Sequence, residues 1–199
     1  MKRPEDYDSI TTLDISSKKL KQIPSWVKQC YNLKYIKCSC NQLTQLDNLP
    51  SGLIDLYCAF NKITHLDNLP QTLKELVCYC NNITQLDNLP KTLKILNCED
   101  NKITHLDNLP LTLENLNCRH NNITHLDNLP QSLEILYCSD NNLTQLDNLP
   151  QTLKILDCSF NNITQLDNLP PILEELKCNE NKLTQLNNLP QKNRIFNLF

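Results

Sequence analysis

Residues 93–112 read LKILNCEDNKITHLDNLPLT, and this stretch recurs along most of the chain with the same length and the same fixed letters. Each copy follows L-x-x-L-x-C-x-x-N-x-[IL]-T-[QH]-L-[DN]-N-L-P-x-x, with Ile36 replacing the second leucine once. The positions of this pattern are numbered places 1 to 20. Self-similarity at a fixed period of this size predicts a solenoid of stacked repeats. Eight such units follow one another without insertion, beginning at Leu33, Leu53, Leu73, Leu93, Leu113, Leu133, Leu153 and Leu173.

The ends of the repeat array depart from this pattern. Residues 1–9 form a leader, and residues 10–32 form a longer first repeat. Residues 193–199 begin another unit in altered form and are expected to make a partial repeat or cap. One domain is therefore predicted, a solenoid of nine repeats over residues 10–192. Within the first repeat, residues 24–30 are predicted to form a short helix that places Trp26 over that end of the core.

Hydrophobic spacing predicts the shape of each coil. Places 3 to 6 alternate between outward and inward positions, as in a short strand. Stacked copies would form a parallel sheet of nine strands at about 4.8 Å spacing. Twenty residues leave no room for a second layer of full helices, so the opposite arc is expected to be extended, with proline ending each coil because it donates no N–H group. The leucines of one coil are buried only by its neighbours.

The pattern L-x-x-L-x-[LC]-x-x-N-x-L resembles the leucine-rich repeat signature over about 95% of the chain. The 20-residue length and the L-P-x-x-L junction resemble the short repeats of bacterial effector proteins. The Cys-for-Leu exchange and the D-N-L-P segment resemble leucine-rich repeat proteins of giant DNA viruses. This resemblance implies an α/β-type, mostly β horseshoe with its parallel sheet on the concave side. It also implies a non-enzymatic scaffold for an unidentified, host-directed or intracellular protein partner, in the host cytoplasm if the protein is viral.

Composition excludes several function classes. The chain of 199 residues contains a single glycine, so the glycine-rich phosphate loops and the G-x-S-x-G elbow of hydrolases cannot be present. A net charge of −3 argues against a general nucleic-acid or anionic-membrane binder. No apolar run resembles a signal peptide or a bilayer-spanning helix. These features predict a soluble cytoplasmic protein without nucleic-acid or membrane partners.

Cysteine fills place 6 of every 20-residue unit, where leucine is more usual. A stacked column of small buried side chains is the favoured interpretation. A disulfide requires Cβ atoms about 3.8 Å apart, which is closer than the Cβ spacing between neighbouring in-register strands. Metal binding at Cys38-x-Cys40 or Cys78-x-Cys80 is the alternative, but no cofactor is predicted, and so many free thiols favour a reducing compartment. The column consists of Cys38, Cys58, Cys78, Cys98, Cys118, Cys138, Cys158 and Cys178.

Two polar columns are assigned structural roles. Asparagine at place 9 is expected to bond backbone groups of its own and the neighbouring coil. Aspartate at place 15, from Asp47 to Asp167 with Asn187 ending the column, is expected to accept from the N–H groups of the following N-L-P in an Asx turn. A calcium site along this convex column is the alternative. The place 9 residues are Asn41, Asn61, Asn81, Asn101, Asn121, Asn141, Asn161 and Asn181.

Places 3, 5, 7 and 8 differ between repeats and are expected to face solvent on the concave side, where function would lie. Exposed aromatic residues beside apolar ones are typical of protein interfaces, although scattered aromatics on a surface are also common and neutral. The predicted partner-binding residues are Tyr35, Tyr57, Phe60, Val77, Tyr79, Tyr137 and Phe160.

A second concave cluster is Asp100, His120 and Asp140, all at place 8. The imidazole is expected to lie between the two carboxylates. With Ser139 nearby, a Ser-His-Asp triad and a divalent metal site are alternatives to a solvated polar patch. An open sheet face offers no oxyanion hole, so the polar patch is favoured.

Three functions remain from the sequence. The first is the concave protein-binding scaffold. The second is a structural or self-associating protein, forming homo-oligomers through the terminal repeats because the short tail 195–199 would leave a sheet edge able to pair. The third is thiol or metal chemistry at the exposed cysteines.

Overall fold

The computed structural model describes residues 5–184 and the strand at 195–197. Three-residue strands pair in parallel, each with the next along the chain, in one ten-stranded sheet. The predicted parallel solenoid is confirmed, and the tail contributes a tenth strand to the nine expected. The strands are β1 (Thr12–Asp14), β2 (Tyr35–Lys37), β3 (Asp55–Tyr57), β4 (Glu75–Val77), β5 (Ile95–Asn97), β6 (Asn115–Asn117), β7 (Ile135–Tyr137), β8 (Ile155–Asp157), β9 (Glu175–Lys177) and β10 (Ile195–Asn197).

Strand register follows the sequence repeat. Leu56 of β3 aligns with Leu76 of β4, so that place 4 always meets place 4. In the altered tail unit Phe196 aligns with Leu176. This register stacks every fixed letter of the repeat into a column that runs along the solenoid.

The core lies between the sheet and the opposite arc. In the repeat beginning at Leu93, the side chains of Leu93, Leu96, Cys98 and Ile103 are fully buried. Each is covered by its counterparts in the two neighbouring coils. Burying one leucine contributes about 1.5–3 kcal/mol relative to leaving it exposed, so the stability of the fold accumulates coil by coil.

Proline closes each coil with a turn. The N–H of Leu73 donates to the Pro70 carbonyl at 3.1 Å, which bends the chain back toward the next strand. Thr72 fixes this corner because its hydroxyl donates at 2.6 Å to the carbonyl of Leu53, which begins the same unit. The arc between strands contains turns and bends, as expected for a 20-residue coil.

Left-handed backbone recurs at two places of the coil. The place 16 asparagines have φ between 54° and 63°, and the place 8 residues have φ between 50° and 56°. Asparagine tolerates this region better than most residues, which explains its constancy at place 16. Gly52, the single glycine, is not among the positive-φ residues.

The first repeat contains a 3₁₀ helix, Ser25–Gln29, within the predicted helical stretch. Val27 is buried, and Trp26 packs against the core, as the sequence predicts for this end. Across the described part of the chain, no helix has the length and apolar character needed to cross a membrane.

Candidate functional site on the concave sheet face

The concave face is built by places 3 and 5, which flank the buried residue of place 4 in each strand. Successive side chains of a strand point to opposite faces, so these two places form neighbouring columns on one side of the sheet. Residues adjacent in a column are 20 positions apart; Asp55, for example, lies between Tyr35 and Glu75. Neighbours on this face therefore come from successive repeats and not from consecutive positions in the sequence.

Two predicted partner-binding tyrosines pack together in β2 and β3. The ring centroids of Tyr35 and Tyr57 are 5.0 Å apart, with planes inclined by 39°. The Lys37 ammonium lies 5.6 Å from the centroid of Tyr35. The Tyr57 hydroxyl donates to Oε1 of Glu75 at 2.7 Å, and burial together with this carboxylate raises the pKa of Tyr57 well above its ordinary value. Both rings are half-buried and held in place by these contacts.

A second ring pair lies just beyond the strands. Phe60 and Tyr79 are in edge-to-face contact, with centroids 5.1 Å apart. Phe60 is 50% exposed and sits at a left-handed place 8, which turns its ring outward. Val77 is half-buried in β4. The predicted N-terminal patch thus consists of two packed aromatic pairs around β3 and β4.

The predicted smaller cluster of Tyr137 and Phe160 is arranged differently. Tyr137 packs beneath Arg119, whose guanidinium carbon lies 4.3 Å from the ring centroid. The same guanidinium forms an ion pair with Asp157, a carboxylate that is only 8% exposed. Phe160 is 51% exposed. Sequence reasoning missed the Arg119–Asp157 pair, because the partners are 38 residues apart and only the folded register brings them together.

Of the two carboxylates expected beside His120, only Asp140 lies within ion-pair distance of the imidazole. His120 Nδ1 lies 3.8 Å from Asp140, whereas Asp100 accepts the thiol of Cys80 at 3.1 Å instead. Ser139 is buried. The backbone N–H of His120 donates to the backbone carbonyl of Ser139, so this hydrogen bond does not involve the serine hydroxyl or the imidazole. Within residues 5–184, no three His, Cys, Asp or Glu side chains converge as metal ligands would.

The expectation that all four variable places face solvent also needs correction. Ala59, Ser139 and Ser159 at place 7 are buried, as is Asp157 at place 5. The ion pair with Arg119 accompanies the burial of Asp157. The surface open to a partner is therefore narrower than the variable columns suggest.

The place 9 asparagines bond two coils at once. Asn101 Nδ2 lies 3.1 Å from the Cys78 carbonyl of the preceding coil and 3.0 Å from the Cys98 carbonyl of its own. Its Oδ1 accepts the N–H of Ile83 at 3.0 Å. Equivalent bonds recur at the other place 9 residues, so a continuous amide ladder satisfies backbone groups where the strands end.

The place 6 cysteines form a buried column of free thiols. The Cys98 thiol donates weakly to the Asn117 carbonyl of the next strand at 3.4 Å. Burial raises the pKa of Cys78 and Cys118 to about 12, which keeps them protonated. Outside the column, Cys40 is exposed, while burial and the Asp100 carboxylate raise the pKa of Cys80 to about 11.

The convex aspartates do not form the predicted Asx turns. Asp87 and Asp147 instead accept a hydrogen bond from the side-chain amide of the glutamine two residues earlier, at 2.6 and 2.8 Å. The left-handed asparagine that follows each aspartate turns the backbone away, and its φ accounts for the corner without a cap. Asn187, which ends this column in sequence, lies outside the described residues.

Several solved structures similar to this chain are bacterial leucine-rich repeat proteins. YopM from Yersinia enterocolitica WA-314 is 32% identical with a TM-score of 0.83, over 94% of this chain and 46% of YopM. The functional domain of InlJ from Listeria monocytogenes, which includes a cysteine ladder, is 37% identical with a TM-score of 0.83, over 94% of this chain and 43% of that domain's chain. YopM from Yersinia pestis, a leucine-rich effector protein, is 30% identical with a TM-score of 0.83, over 92% and 57%.

The chain spans about half the length of these proteins. No family model and no curated protein sequence matches it. The parallel sheet, the helix-poor arcs, the asparagine ladder and the fit to these structures agree with one another. This chain has the leucine-rich repeat fold.

Proposed function

We propose that this chain is a non-enzymatic scaffold that binds a protein partner on its concave face. The observation that carries the proposal is the pair of aromatic contacts, Tyr35–Tyr57 and Phe60–Tyr79, on the side of the sheet that faces solvent. Tyrosine is enriched among the residues that contribute most to protein interfaces. The bacterial structures that the chain resembles include an effector protein, which supports an interaction role.

Packing within each ring pair favours binding. A side chain that is already held by a neighbour loses little rotamer freedom when a partner covers it. Phe60 presents half of its surface to solvent, so covering it would bury new apolar area. The constant columns form a rigid frame beneath these rings, and the variable columns supply the specificity.

The working compartment is proposed to be reducing, and the partner host-directed. All eleven cysteines are free, and Cys40 is exposed, an arrangement suited to cytosolic conditions. The resemblance to effector and giant-virus repeat proteins favours the cytoplasm of a host cell.

The test is quantitative affinity capture from host-like cytosolic lysate with matched variants. The concave variant carries Tyr57→Ala, Phe60→Ala and Tyr79→Ala. The control carries Tyr31→Ala and Leu111→Ala, which remove the side chains of residues 72% and 83% exposed outside the strands. Circular dichroism checks that both remain folded.

We expect a partner that the native chain and the control capture and the concave variant loses. A partner held equally by all three chains would place binding elsewhere on the molecule. If no partner is captured and sedimentation shows a mass that grows with concentration, the protein self-associates, as the alternative prediction from its terminal repeats holds.

A further inference from the structure

The concave face contains a pair of carboxylates without a counter-ion. Asp55 of β3 and Glu75 of β4 are adjacent in register, at the same place of consecutive strands. Both are half-buried among the tyrosines. In the described part of the chain, no lysine, arginine or histidine nitrogen lies within 4 Å of either carboxylate. Two like charges at this spacing repel each other, which is unfavourable in the isolated protein.

Titration of Asp55 reflects this arrangement. Burial and the neighbouring Glu75 raise the pKa of Asp55, and the more distant Lys74 only partly opposes them. Glu75 has one oxygen engaged, because Oε1 accepts the Tyr57 hydroxyl. Asp55 and Glu75 are at place 3, so they lie on the same side of the sheet as Tyr35 and Tyr57.

The C-terminal half of the same face shows how such a group is completed. There the Arg119 guanidinium stacks on Tyr137 and pairs with Asp157 one strand further on. Around β3 related groups are present in a different arrangement: Tyr57 is at the same place 5, whereas the carboxylates of Asp55 and Glu75 lie at place 3 of β3 and β4. Lys37, which aligns with Tyr57 in register, lies over the outer tyrosine, Tyr35, and forms no ion pair with either carboxylate. Within the described residues, therefore, no cation completes this group.

We infer that the partner places an arginine guanidinium against the Tyr57 ring, where it also reaches the carboxylates of Asp55 and Glu75. A guanidinium fits this group because it can stack on an aromatic ring and donate to two carboxylates at once. This inference rests on the proposed function and names the chemistry of its partner: an arginine-bearing protein segment lying along the concave face. Charge complementarity would then relieve the repulsion that the free chain retains.

The probe is a phage-displayed library of random dodecapeptides, selected on the full chain. Three variants are compared with the native protein. The first carries Asp55→Asn and Glu75→Gln, the latter keeping an acceptor for the Tyr57 hydroxyl. The second carries Asp47→Asn and Asp67→Asn, the same change of net charge on the convex side. The third is the aromatic variant described above.

We expect the native chain and the convex control to enrich arginine-containing peptides that bind the Asp55/Glu75 variant about tenfold more weakly. The unfolding midpoint of that variant should equal or exceed the native one, because a repulsion has been removed. Failure to enrich any peptide, enrichment without arginine, retained affinity, or a lowered midpoint would each overturn the inference.

The aromatic variant separates this inference from the proposed function. Peptides that lack arginine but are lost with the aromatic variant would leave concave binding intact and refute the arginine. Peptides held equally by the aromatic variant would refute both. The two proposals therefore fail in different ways.

Discussion

Asn101 shows how much one repeated side chain contributes to this fold. Its amide meets carbonyl groups of two coils and the N–H of Ile83, all buried. The sequence already predicts this role, because an asparagine stands at place 9 of every 20-residue unit, where the strand ends and backbone groups need hydrogen-bond partners. What spacing could not provide was the set of partners, since these lie on the preceding coil.

Replacing Asn101 by alanine should destabilise the protein by about 1–3 kcal/mol, because the buried backbone groups lose their partner. Asn101→Asp should cost more at neutral pH, since a carboxylate would face two carbonyl oxygens. Asn115→Ala, on the half-exposed concave face, is the matched control and should change little. Urea unfolding measures all three; equal losses at residues 101 and 115 would contradict the ladder's role.

The reactivity of each cysteine thiol also depends on its own burial. Cys40 is exposed and should be alkylated first, whereas ladder thiols such as Cys78 should react only on unfolding. Cys80 should be slow, because burial and its bond to Asp100 raise its pKa to about 11.

Asp100→Asn removes the negative charge next to Cys80 and lowers the pKa of the thiol, so its thiolate fraction at pH 8 increases. Its alkylation should therefore become several-fold faster at pH 8 while that of Cys40 stays constant. Peptide mass spectrometry after timed iodoacetamide treatment measures both rates. An unchanged rate at Cys80 would mean that burial alone controls it.

At the scale of the coil, the turn at the D-N-L-P segment is made differently from what its sequence predicts. The aspartate was expected to cap the turn, but the conformation belongs to the asparagine at place 16, where φ is positive. A sequence with one glycine must make its left-handed turns with other residues. The constant asparagine at place 16 is the feature of the sequence that indicates a left-handed turn. It does not distinguish that turn from a cap by the preceding aspartate, because asparagine and aspartate are common in both.

Asn128 provides the test of this corner, with φ of 55°. Asn128→Ala should cost about 1 kcal/mol because alanine resists the left-handed region. Asn128→Gly should change stability by only a few tenths of that amount, about 0.3 kcal/mol or less. In ordinary extended or helical backbone the order is reversed, with glycine worse than alanine. Thermal unfolding of the two variants therefore distinguishes a conformational role from a hydrogen-bonding one.

The strands were predictable, whereas the contacts across them were not. Period and hydrophobic spacing place every strand from β2 to β9 and every buried leucine. The Arg119–Asp157 pair, the Cys80–Asp100 bond and the unpaired Asp55–Glu75 carboxylates arise from residues 20 to 38 positions apart. These contacts depend on which variable side chains the register places side by side and on the direction in which each side chain points, neither of which the repeat pattern specifies.

For the whole molecule, the constant period means that each coil contacts only its neighbours. Stability should then be close to a sum of coil and interface contributions. Deleting residues 93–112 removes one complete unit and joins two coils whose places remain in step. The places of the fixed leucines, cysteines and asparagines are unchanged across the junction, and Arg119 keeps its pairing with Asp157 two strands further on.

The shortened chain should therefore fold, with unchanged circular dichroism per residue and a urea m-value lower by about one tenth. Its unfolding midpoint should fall modestly, because one interface's burial is lost. Deleting residues 93–102 instead joins place 20 to place 11 and leaves a half coil at the junction, so that the repeats before it and after it cannot stack directly on each other. That chain should lose one coil interface and unfold in two steps instead of one. If both deletions unfolded alike, the register between neighbouring coils would contribute little to stability and the nearest-neighbour description would fail.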